Sequence, residues 1–348
     1  MMVSIKEVAK RAGVSAGTVS NVFSGNRAVK PELAQRVRKA ATELGYEPDR
    51  AASQLRAGKA RIVGVLVPDL NNPFFISLIA SLEAQARGEG FDIIVASSHE
   101  KIDEEAARLS ALLAWRPAGL VIVPCTDEFE SRGLLERIGV PFVVADRVPS
   151  AFEGDAVFVD NAEIGRRAAE HLVELGHRNI VVAASTLKLQ NIRERCEGIE
   201  AAIKGFEFDP PTLIEVGLDF DIAQSRLRAF MEGPRQATAF IALTNFATLG
   251  ILSSAHKCGL SVPADVSVVG FDDFSWMQAV SPALTAIRQP VEAMGQAIWG
   301  RLSAHIEGTS EDHMRTRLAC DLILRDSTAP PRGVAASKPR VRIQAGRA

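Results

Sequence analysis

The chain has 348 residues, of which 47% are hydrophobic, enough for two or three domains with conventional cores. Its longest apolar runs, Ile62–Val67 and Gly119–Val123, have the length of strands, and its first residues carry charges where a secretory signal would be apolar, so neither a membrane span nor export is expected. The net charge is −2, from 40 basic and 42 acidic side chains. Residues 1–60 carry 11 of the basic side chains and 5 of the acidic ones. A basic head on an acidic body is typical of chains in which one small domain contacts phosphate, although a solvated basic face is the alternative.

The first sixty residues predict three short helices. Ser4 and Glu7 form a Ser-x-x-Glu capping box at the start of the first helix. Gly13 ends that helix, and Ser15 caps the second after a turn of a few residues. The predicted helices run from Ile5 to about Ala12, from the Ser15 cap to Phe23, and from Pro31 to the closing Gly45.

The first two helices have the pattern of a helix-turn-helix, in which the first helix braces the second so that its amino-terminal side chains enter the major groove. The brace and core residues are Val8, Ala9, Gly13, Val14, Val19 and Val22. The outward residues of the reading helix are Ala16, Gly17, Ser20 and Asn21. The Asn21 amide can bond an adenine edge in two places, and Ser15, Thr18 and Ser20 can bond phosphates or base edges. Ser4 is also counted as a candidate DNA contact, and an ordinary helical hairpin is the alternative.

From Arg61 onward, apolar runs alternate with amphipathic segments. The predicted strands are Ile62–Val67, Asp92–Ala96, Gly119–Val123, Phe142–Ala145, Ile180–Ala184, Thr212–Glu215, Ala239–Leu243 and Val266–Gly270. The predicted helices are 73–90, 103–115, 129–138, 162–175, 193–204, 220–232 and 246–258. Buried parallel strands with crossover helices have this pattern, which predicts two doubly wound α/β lobes with a ligand cleft near the carboxyl ends of their strands.

The end of the chain is predicted to complete these lobes. A helix from Val291 to about Ile306 and strands near Arg315–Leu324 are too little for a separate domain. The segment after Ser327 has five basic and no acidic residues and almost no large apolar side chains. We expect it to be a disordered basic tail.

Several motifs, in order, resemble one family. The segments SIKEVAKRAGVSAGTVSNVFSG and LGYEPDRAASQLRAGKARIVGVLVPDLNNPFF are followed by VDNAEIG, HLVELGHRNI, RERCEGI, LSVPADVSVVGFDDF and LTAIRQPVEAMG. Together they resemble the lactose/galactose-repressor family of bacterial transcriptional regulators along nearly the whole chain. The resemblance implies a small all-α helix-turn-helix head and a two-lobed, doubly wound α/β core like that of periplasmic binding proteins. It also implies a cytoplasmic homodimer that binds a pseudo-palindromic operator in double-stranded DNA and is controlled by a small effector.

The resemblance divides the chain into five parts. These are a DNA-binding domain over 1–48, a hinge over 49–60, a first lobe over 61–160 with about 291–318, a second lobe over 161–290 with about 319–327, and the tail over 328–348. In this family the hinge folds into a short helix on the operator and a leucine enters the minor groove. The match makes Leu55 that wedge and Ala52 its close-packing neighbour, and makes Tyr46 a backbone contact. Core packing is the alternative for Leu55 and Tyr46.

The family resemblance also implies an effector site between the lobes. The matching positions are Phe74, Phe75, Asp146, Arg147, Arg195, Asn245, Asp272 and Trp276. Carboxylates, guanidinium and amides bond vicinal hydroxyls while aromatic rings stack on a sugar ring, so a sugar or sugar acid fits this set. Strand-end capping is the alternative for the two aspartates, and core packing for the two phenylalanines.

Catalytic, cofactor and metal motifs were not found. The chain has no GxGxxG after its first strand, no GxxxxGK[ST], no GxSxG and no HExxH, and its four cysteines lack a CxxC spacing, so buried free thiols are expected. His171 and His177 lie in a helix-end motif where a structural role is expected. Two other functions remain open. A solute-binding transport protein would share the two lobes but needs export, and a sugar-acting enzyme would need a catalytic constellation.

Overall fold

A computed structural model describes residues 3–24, 27–46, 61–206, 208–234, 237–310 and 312–332. The chain divides into two compact units. The first comprises residues 1–62 with 114–118, and the second comprises residues 63–113 with 119–348.

The amino-terminal unit contains the three predicted helices, α1 (Ile5–Ala12), α2 (Ala16–Ser24) and α3 (Pro31–Leu44). The capping box is present, because Ser4 N donates to Glu7 Oε2 at 2.7 Å and Glu7 N donates to Ser4 Oγ at 3.4 Å. Gly13 ends α1 at φ 64°, a left-handed conformation that glycine adopts without a steric penalty. All three helices contribute to the core, in which the fully buried side chains are Val8, Val19 and Val37.

The α/β part of the chain alternates strands with helices. The strands are β1 (Ile62–Val67), β2 (Asp92–Ser97), β3 (Gly119–Ile122), β4 (Phe142–Ala145), β5 (Ala156–Val159), β6 (Ile180–Ala184), β7 (Thr212–Glu215), β8 (Ala239–Ala242), β9 (Ser267–Phe271), β10 (Thr285–Arg288), β11 (Arg315–Leu318) and β12 (Asp321–Ile323). The helices are α4 (Pro73–Gly88), α5 (Ile102–Ala114), α6 (Arg132–Ile138), α7 (Asn161–Glu174), α8 (Gln190–Gly205), α9 (Phe220–Met231), α10 (Asn245–Lys257), α11 (Trp276–Ala279) and α12 (Val291–Glu307).

The strands form two six-stranded sheets, one in each lobe. The first has the order β11-β5-β4-β3-β1-β2 and the second the order β12-β10-β9-β8-β6-β7. The pairs from β11 through β5, β4 and β3 to β1 are parallel, and so are those from β10 through β9, β8 and β6 to β7. Strand β12 pairs with β10 in the antiparallel direction. The predicted fold class is confirmed.

The last part of the chain returns to both lobes. Helix α12 packs on α4 and on β3, β4 and β5 of the first sheet. Strand β11 then extends the first sheet, and β12 extends the second. The chain therefore crosses from one lobe to the other more than once.

Several elements differ from the sequence predictions: α8 begins at Gln190 rather than at 193, and α11 was not predicted. Strands β5 and β10 were not predicted. Helix α6 begins at Arg132 rather than at 129, because Phe129 adopts φ 40°, a value outside the α-helical range. The Phe129 side chain packs in the core of the first lobe.

The predicted tail was placed too early, because Thr328–Arg332 are held by specific contacts. His171 Nε2 lies 3.0 Å from Thr328 Oγ1, and His177 Nε2 lies 2.9 Å from the carbonyl oxygen of Ala329. Arg332 is also paired with Asp265 at 2.7 Å. Burial lowers the pKa of both histidines, so they act here as neutral hydrogen-bonding groups. The rest of the predicted tail, 333–348, lies outside the described residues.

Among the described residues, no helix combines the length and the apolar character that a membrane crossing requires.

Candidate functional site

The reading helix α2 presents a small polar surface. Gly17 and Ser15 are exposed, while Thr18, Ser20 and Asn21 are half-buried. Ser15 Oγ accepts from Thr18 N at 3.1 Å and lies 2.9 Å from Thr18 Oγ1. Ser15 therefore caps α2 as predicted, and this bond competes with any contact that its hydroxyl would make to DNA.

Two other predicted DNA contacts have packing roles in the head. Ala16 is half-buried against the helical core rather than fully outward. Tyr46 packs on the same core, and its ring centroid lies 5.9 Å from that of Phe23. Ser4 is exposed but engaged in the capping box, while Ala52 and Leu55 of the predicted hinge lie outside the described residues.

The surface around these residues is basic. Cationic side chains that are exposed on the head are Lys6, Lys10, Arg11, Arg27, Lys30, Arg36, Arg38 and Lys39. Of these, Arg11 is paired with Glu43 at 2.8 Å. A surface of this kind attracts the phosphate backbone independently of sequence.

A polar cleft lies between the two lobes, at the carboxyl ends of their strands. Six of the eight predicted effector residues line it, namely Phe74, Phe75, Asp146, Arg147, Arg195 and Asp272. The cleft contains about 540 Å³ when the part open to solvent is included, but only about 50 Å³ of this admits the centre of a water molecule.

The other two predicted effector residues do not line the cleft. Asn245 is the first residue of α10 and is buried, and its Oδ1 has no hydrogen-bond partner among the described residues. Trp276 begins α11 and packs on the small cluster around Met277. Their assignment to the effector stays a prediction.

The first lobe contributes an ion pair and a carboxyl group. Arg147 donates from both terminal nitrogens to Glu100, at 2.6 and 2.7 Å. Its neighbour Asp146, directly after β4, adopts φ 59° and is buried. Burial raises the pKa of Asp146, although the guanidinium groups of Arg195 and Arg147 oppose this. Because Glu100 already neutralises Arg147, Asp146 faces the cleft with its acceptor capacity largely unused.

The second lobe contributes a buried guanidinium. Arg195 donates to Asn161 Oδ1 at 2.9 Å and to the carbonyl oxygen of Leu243 at 2.7 Å. Its guanidinium carbon lies 3.9 Å from the centroid of the Phe271 ring. No described residue is bonded to its Nη2, so Arg195 retains donors for a ligand.

Two glycines permit the helix packing that places Arg195. A Cβ on Gly165 of α7 would lie 2.2 Å from the carbonyl oxygen of Arg195, and a Cβ on Gly198 of α8 would lie 1.9 Å from that of Ala162. Both distances are far inside van der Waals contact. Helices α7 and α8 therefore approach backbone to backbone, and a side chain at either glycine would displace Arg195.

Two consecutive aspartates follow β9 and have different roles. Asp272 adopts φ 80° and accepts from Gln289 Nε2 at 2.7 Å. Burial raises the pKa of Asp272 to about 6, although the bond from Gln289 and the charge of Arg195 oppose this. Asp273 points away from the cleft lining and accepts from both terminal nitrogens of Arg325, at 2.6 and 3.0 Å. Asp272 is thus the member available to a ligand, and Asp273 has a structural role.

Polar atoms in the cleft lack partners. Ser185 Oγ, Asn191 Oδ1 and Gln289 Oε1 are buried without a hydrogen bond in the described part of the chain. Buried polar atoms are nearly always satisfied, so a ligand or water must complete these three. Sequence reasoning did not assign these residues or Glu100 to the site, although Gln289 lies in the LTAIRQPVEAMG motif. The position of Ser185 just after β6 and of Asn191 in the first turn of α8 is the signal that could have indicated them.

The lobes are also joined outside the cleft lining. Asp127 of the first lobe accepts from Gln190 N at 3.0 Å and is paired with Arg193 of α8 in the second. Both residues of the pair are partly exposed. This pair links α8 to the first lobe next to the polar cleft.

Three of the four cysteines are buried thiols of low reactivity. Cys125, Cys196 and Cys320 are buried and unpaired, and Cys258 is half-buried. Burial raises the pKa of Cys196 to about 11 and those of Cys125 and Cys320 to about 12. Thiols with such pKa values are protonated at neutral pH and are poor nucleophiles.

Two family models match the chain. "Bacterial regulatory proteins, lacI family" matches residues 4–49, and "Periplasmic binding proteins and sugar binding domain of LacI family" matches residues 60–326. The transcriptional regulator PtxS of Pseudomonas putida is 30% identical over 334 residues, covering 94% of this chain and 96% of that regulator.

Solved structures agree with these matches. The lac repressor dimer bound to operator and the anti-inducer ONPF superposes with a TM-score of 0.84 and 26% identity, covering 94% of this chain and all of the other. A LacI-family regulator from Enterococcus faecium with bound ribose has a TM-score of 0.71 and 27% identity, covering 77% of this chain and 99% of the other.

Proposed function

Because the chain belongs to the lacI family of bacterial regulatory proteins, we propose that it is a transcriptional repressor whose operator binding is controlled by a sugar-like effector. The observation that carries the proposal is the combination, in one chain, of a basic helix-turn-helix and a two-lobed cleft with unsatisfied polar atoms. The relatives that match are transcriptional regulators, which favours neither an enzyme nor a transport protein. Since its partner is the operator, it would act in the cytoplasm.

The head would read DNA mainly through α2. We assign base contact to Asn21 and Ser20, and backbone or base contacts to Thr18, Ser15 and Gly17. The small surface of this helix leaves few side chains for base reading, so the hinge would contribute to specificity through Leu55 and Ala52. Residues 1–48 and 49–60 are accordingly proposed as the DNA-binding domain and the hinge.

The effector would bridge the two lobes. Asp146 and Phe75 of the first lobe face Arg195 and Asp272 of the second across the cleft. The first lobe would comprise 61–160 with about 291–318, and the second 161–290 with about 319–327. A ligand that bonds both lobes stabilises the arrangement in which it contacts them together, and only such differential binding can change the spacing of two DNA-binding heads.

The chemistry of the cleft favours a ligand rich in hydrogen-bond donors. Its charged lining residues are four carboxylates and two guanidinium groups, namely Asp69, Glu100, Asp146, Asp272, Arg147 and Arg195. The unpaired atoms Asn191 Oδ1 and Gln289 Oε1 are also acceptors. Sugar hydroxyls supply donors in this arrangement, and the Phe75 and Phe271 rings offer apolar faces for the ring carbons. We therefore expect a neutral sugar to bind more tightly than the sugar acid with the same hydroxyl groups.

The test begins with operator selection from random duplex DNA, followed by titration of the selected DNA with a panel of neutral sugars and their aldonic acids. We expect a dimer on light scattering and a change in operator affinity with at least one neutral sugar. The variant Asn21→Ala should lose operator affinity and keep sugar affinity. A protein that selects no DNA sequence, or that selects one but responds to no sugar, would contradict the corresponding half of the proposal.

A further inference from the structure

A cluster of ionisable side chains lies at the edge of the first sheet opposite to the effector cleft. Asp155 directly precedes β5, so it lies at the amino end of that strand, whereas the cleft is at the carboxyl ends. His305 is in the last turn of α12, and His313 is two residues before β11. Asp155 thus meets two histidines that follow it much later in the chain.

The three side chains converge on one carboxylate oxygen. His305 Nε2 and His313 Nδ1 each lie 2.8 Å from Asp155 Oδ2, and the three atoms lie within 4.8 Å of one another. The Asp155 side chain is 2% exposed, that of His305 16% and that of His313 65%. The cluster is therefore anchored in the interior and reachable from solvent on the His313 side.

The hydrogen bonds within the cluster leave the ring nitrogen Nε2 of His305 without a partner among the described residues. Asp155 Oδ1 accepts hydrogen bonds from Arg301 Nε and from Met314 N, the latter at 3.0 Å. His313 Nδ1 is hydrogen-bonded to Asp155 Oδ2. His305 Nε2 is close to the same oxygen and buried, but it makes no hydrogen bond of acceptable geometry to any described residue. A buried ring nitrogen in this state is rare and points to an absent partner.

We propose that Asp155 Oδ2, His305 Nε2 and His313 Nδ1 bind one divalent transition-metal ion of the Zn²⁺ type. Imidazole nitrogen and carboxylate oxygen are ordinary zinc ligands at about 2.0–2.2 Å, and tetrahedral coordination at these lengths separates ligand atoms by roughly 3.3 Å. Each 2.8 Å contact would have to widen by about 0.5 Å. The exposed His313 can move to widen its own contact, whereas the His305 contact would have to widen by a small rotation of the His305 side chain at the end of α12. Water would take the fourth position.

Arg301 sets a limit on the affinity. Its guanidinium is bonded to the other oxygen of Asp155, so it orients the carboxylate but also cancels its charge. We therefore expect moderate affinity, in the micromolar range, and preference for metals that bind imidazole well. The bound ion would tie the end of α12 and the start of β11 to the amino end of β5. No sequence motif reports this site, because Asp155 and His305 are far apart in the chain.

The test uses tag-free, full-length protein from which metal has been removed with a chelator. Isothermal titration with ZnCl₂ should show one ion per chain, and Co²⁺ should give the visible absorption of a low-coordinate cobalt site. His313→Asn should weaken Zn²⁺ binding at least tenfold and abolish the cobalt spectrum. His256→Asn is the matched control, since His256 is also an exposed histidine near a helix end and should bind no ion.

Because His313 is exposed, its replacement is not expected to impair folding, and thermal unfolding of the metal-free variant checks this directly. Zn²⁺ should raise the melting temperature of the wild type and of His256→Asn by mass action, and much less that of His313→Asn. Wild-type protein that binds no Zn²⁺, or equal Zn²⁺ affinity in wild type and His313→Asn, would overturn the proposal and leave the cluster as an ordinary hydrogen-bonded group.

Discussion

Replacing Asp272 by asparagine should have opposite effects on stability and on effector binding. Asparagine has nearly the same shape, tolerates the left-handed φ of 80° at this position, and keeps an oxygen for the bond from Gln289 Nε2. The substitution therefore removes a partly buried negative charge with little change in geometry. In the absence of effector the protein should become more stable.

The magnitude follows from the pKa of Asp272, which burial raises from 3.8 to about 6. A difference of about two pH units corresponds to roughly 3 kcal/mol, and because the side chain is partly exposed we expect about 1–2 kcal/mol. The folded state holds the Asp272 carboxyl proton more tightly than the unfolded state does. The destabilisation caused by the Asp272 charge is therefore absent below pH 3.8 and complete above about pH 6. The stabilisation by Asp272→Asn should thus be largest at pH 7 and roughly half as large at pH 5.

The assay is thermal unfolding of the full-length protein at both pH values, with and without the sugar found in the screen. At ~2–4 °C per kcal/mol, the melting temperature without sugar should rise by several degrees at pH 7. Sugar affinity should fall about tenfold to a hundredfold, because hydrogen bonds to a charged acceptor are worth ~1.5–3 kcal/mol. A lower melting temperature without sugar, or an unchanged sugar affinity, would refute the assignment of Asp272 to the effector.

The adjacent aspartate provides a matched control with the opposite sign. Asp273 also has a left-handed φ, 44°, but it is buried in a two-point ion pair with Arg325. Asp273→Asn leaves that guanidinium without a counter-charge and should destabilise the protein by about 3 kcal/mol. Equal effects of the two substitutions would show that position rather than charge environment controls the outcome.

Three further predictions concern one residue that positions the cleft and two residues proposed to contact DNA. Gly198→Ala should destabilise the protein by about 3 kcal/mol in urea unfolding and weaken sugar binding, because its Cβ would lie 1.9 Å from a backbone oxygen of α7 and displace Arg195. Gly205→Ala, at the open end of the same helix, should be nearly neutral, and a similar loss in both would contradict the close-packing argument. Asn21→Ala should cost about 1–3 kcal/mol in operator affinity on gel shift and relax the preference at one base pair, whereas a uniform loss across all sequences would indicate a phosphate contact. Leu55→Ala should weaken specific operator binding at least about tenfold and leave sugar affinity intact, and unchanged operator affinity would argue against its role as a minor-groove wedge.

Much of the fold could be predicted from sequence, because the signals act over a few residues. The capping box at Ser4, the left-handed glycine after α1 and the serine cap of α2 are local hydrogen bonds and turn geometries, so they were predicted together with the helix ends. The six predicted effector residues that the structure brings into the cleft were predicted only through family resemblance, and their contact with an effector stays a prediction. Strand β5 was missed although β4 and β7, which are equally short, were predicted.

The amino-acid sequence by itself therefore determined the basic helix-turn-helix, the alternation of buried strands and helices, and the family. Only the tertiary structure decided which polar groups are paired and which are free. Glu100 neutralises Arg147 from 47 residues away, while Asp272 remains in the cleft and its neighbour Asp273 is taken by Arg325. Such pairings depend on which loops the sheets bring together, and a residue's charge, burial and pKa follow from those long-range neighbours rather than from the residues beside it in the chain.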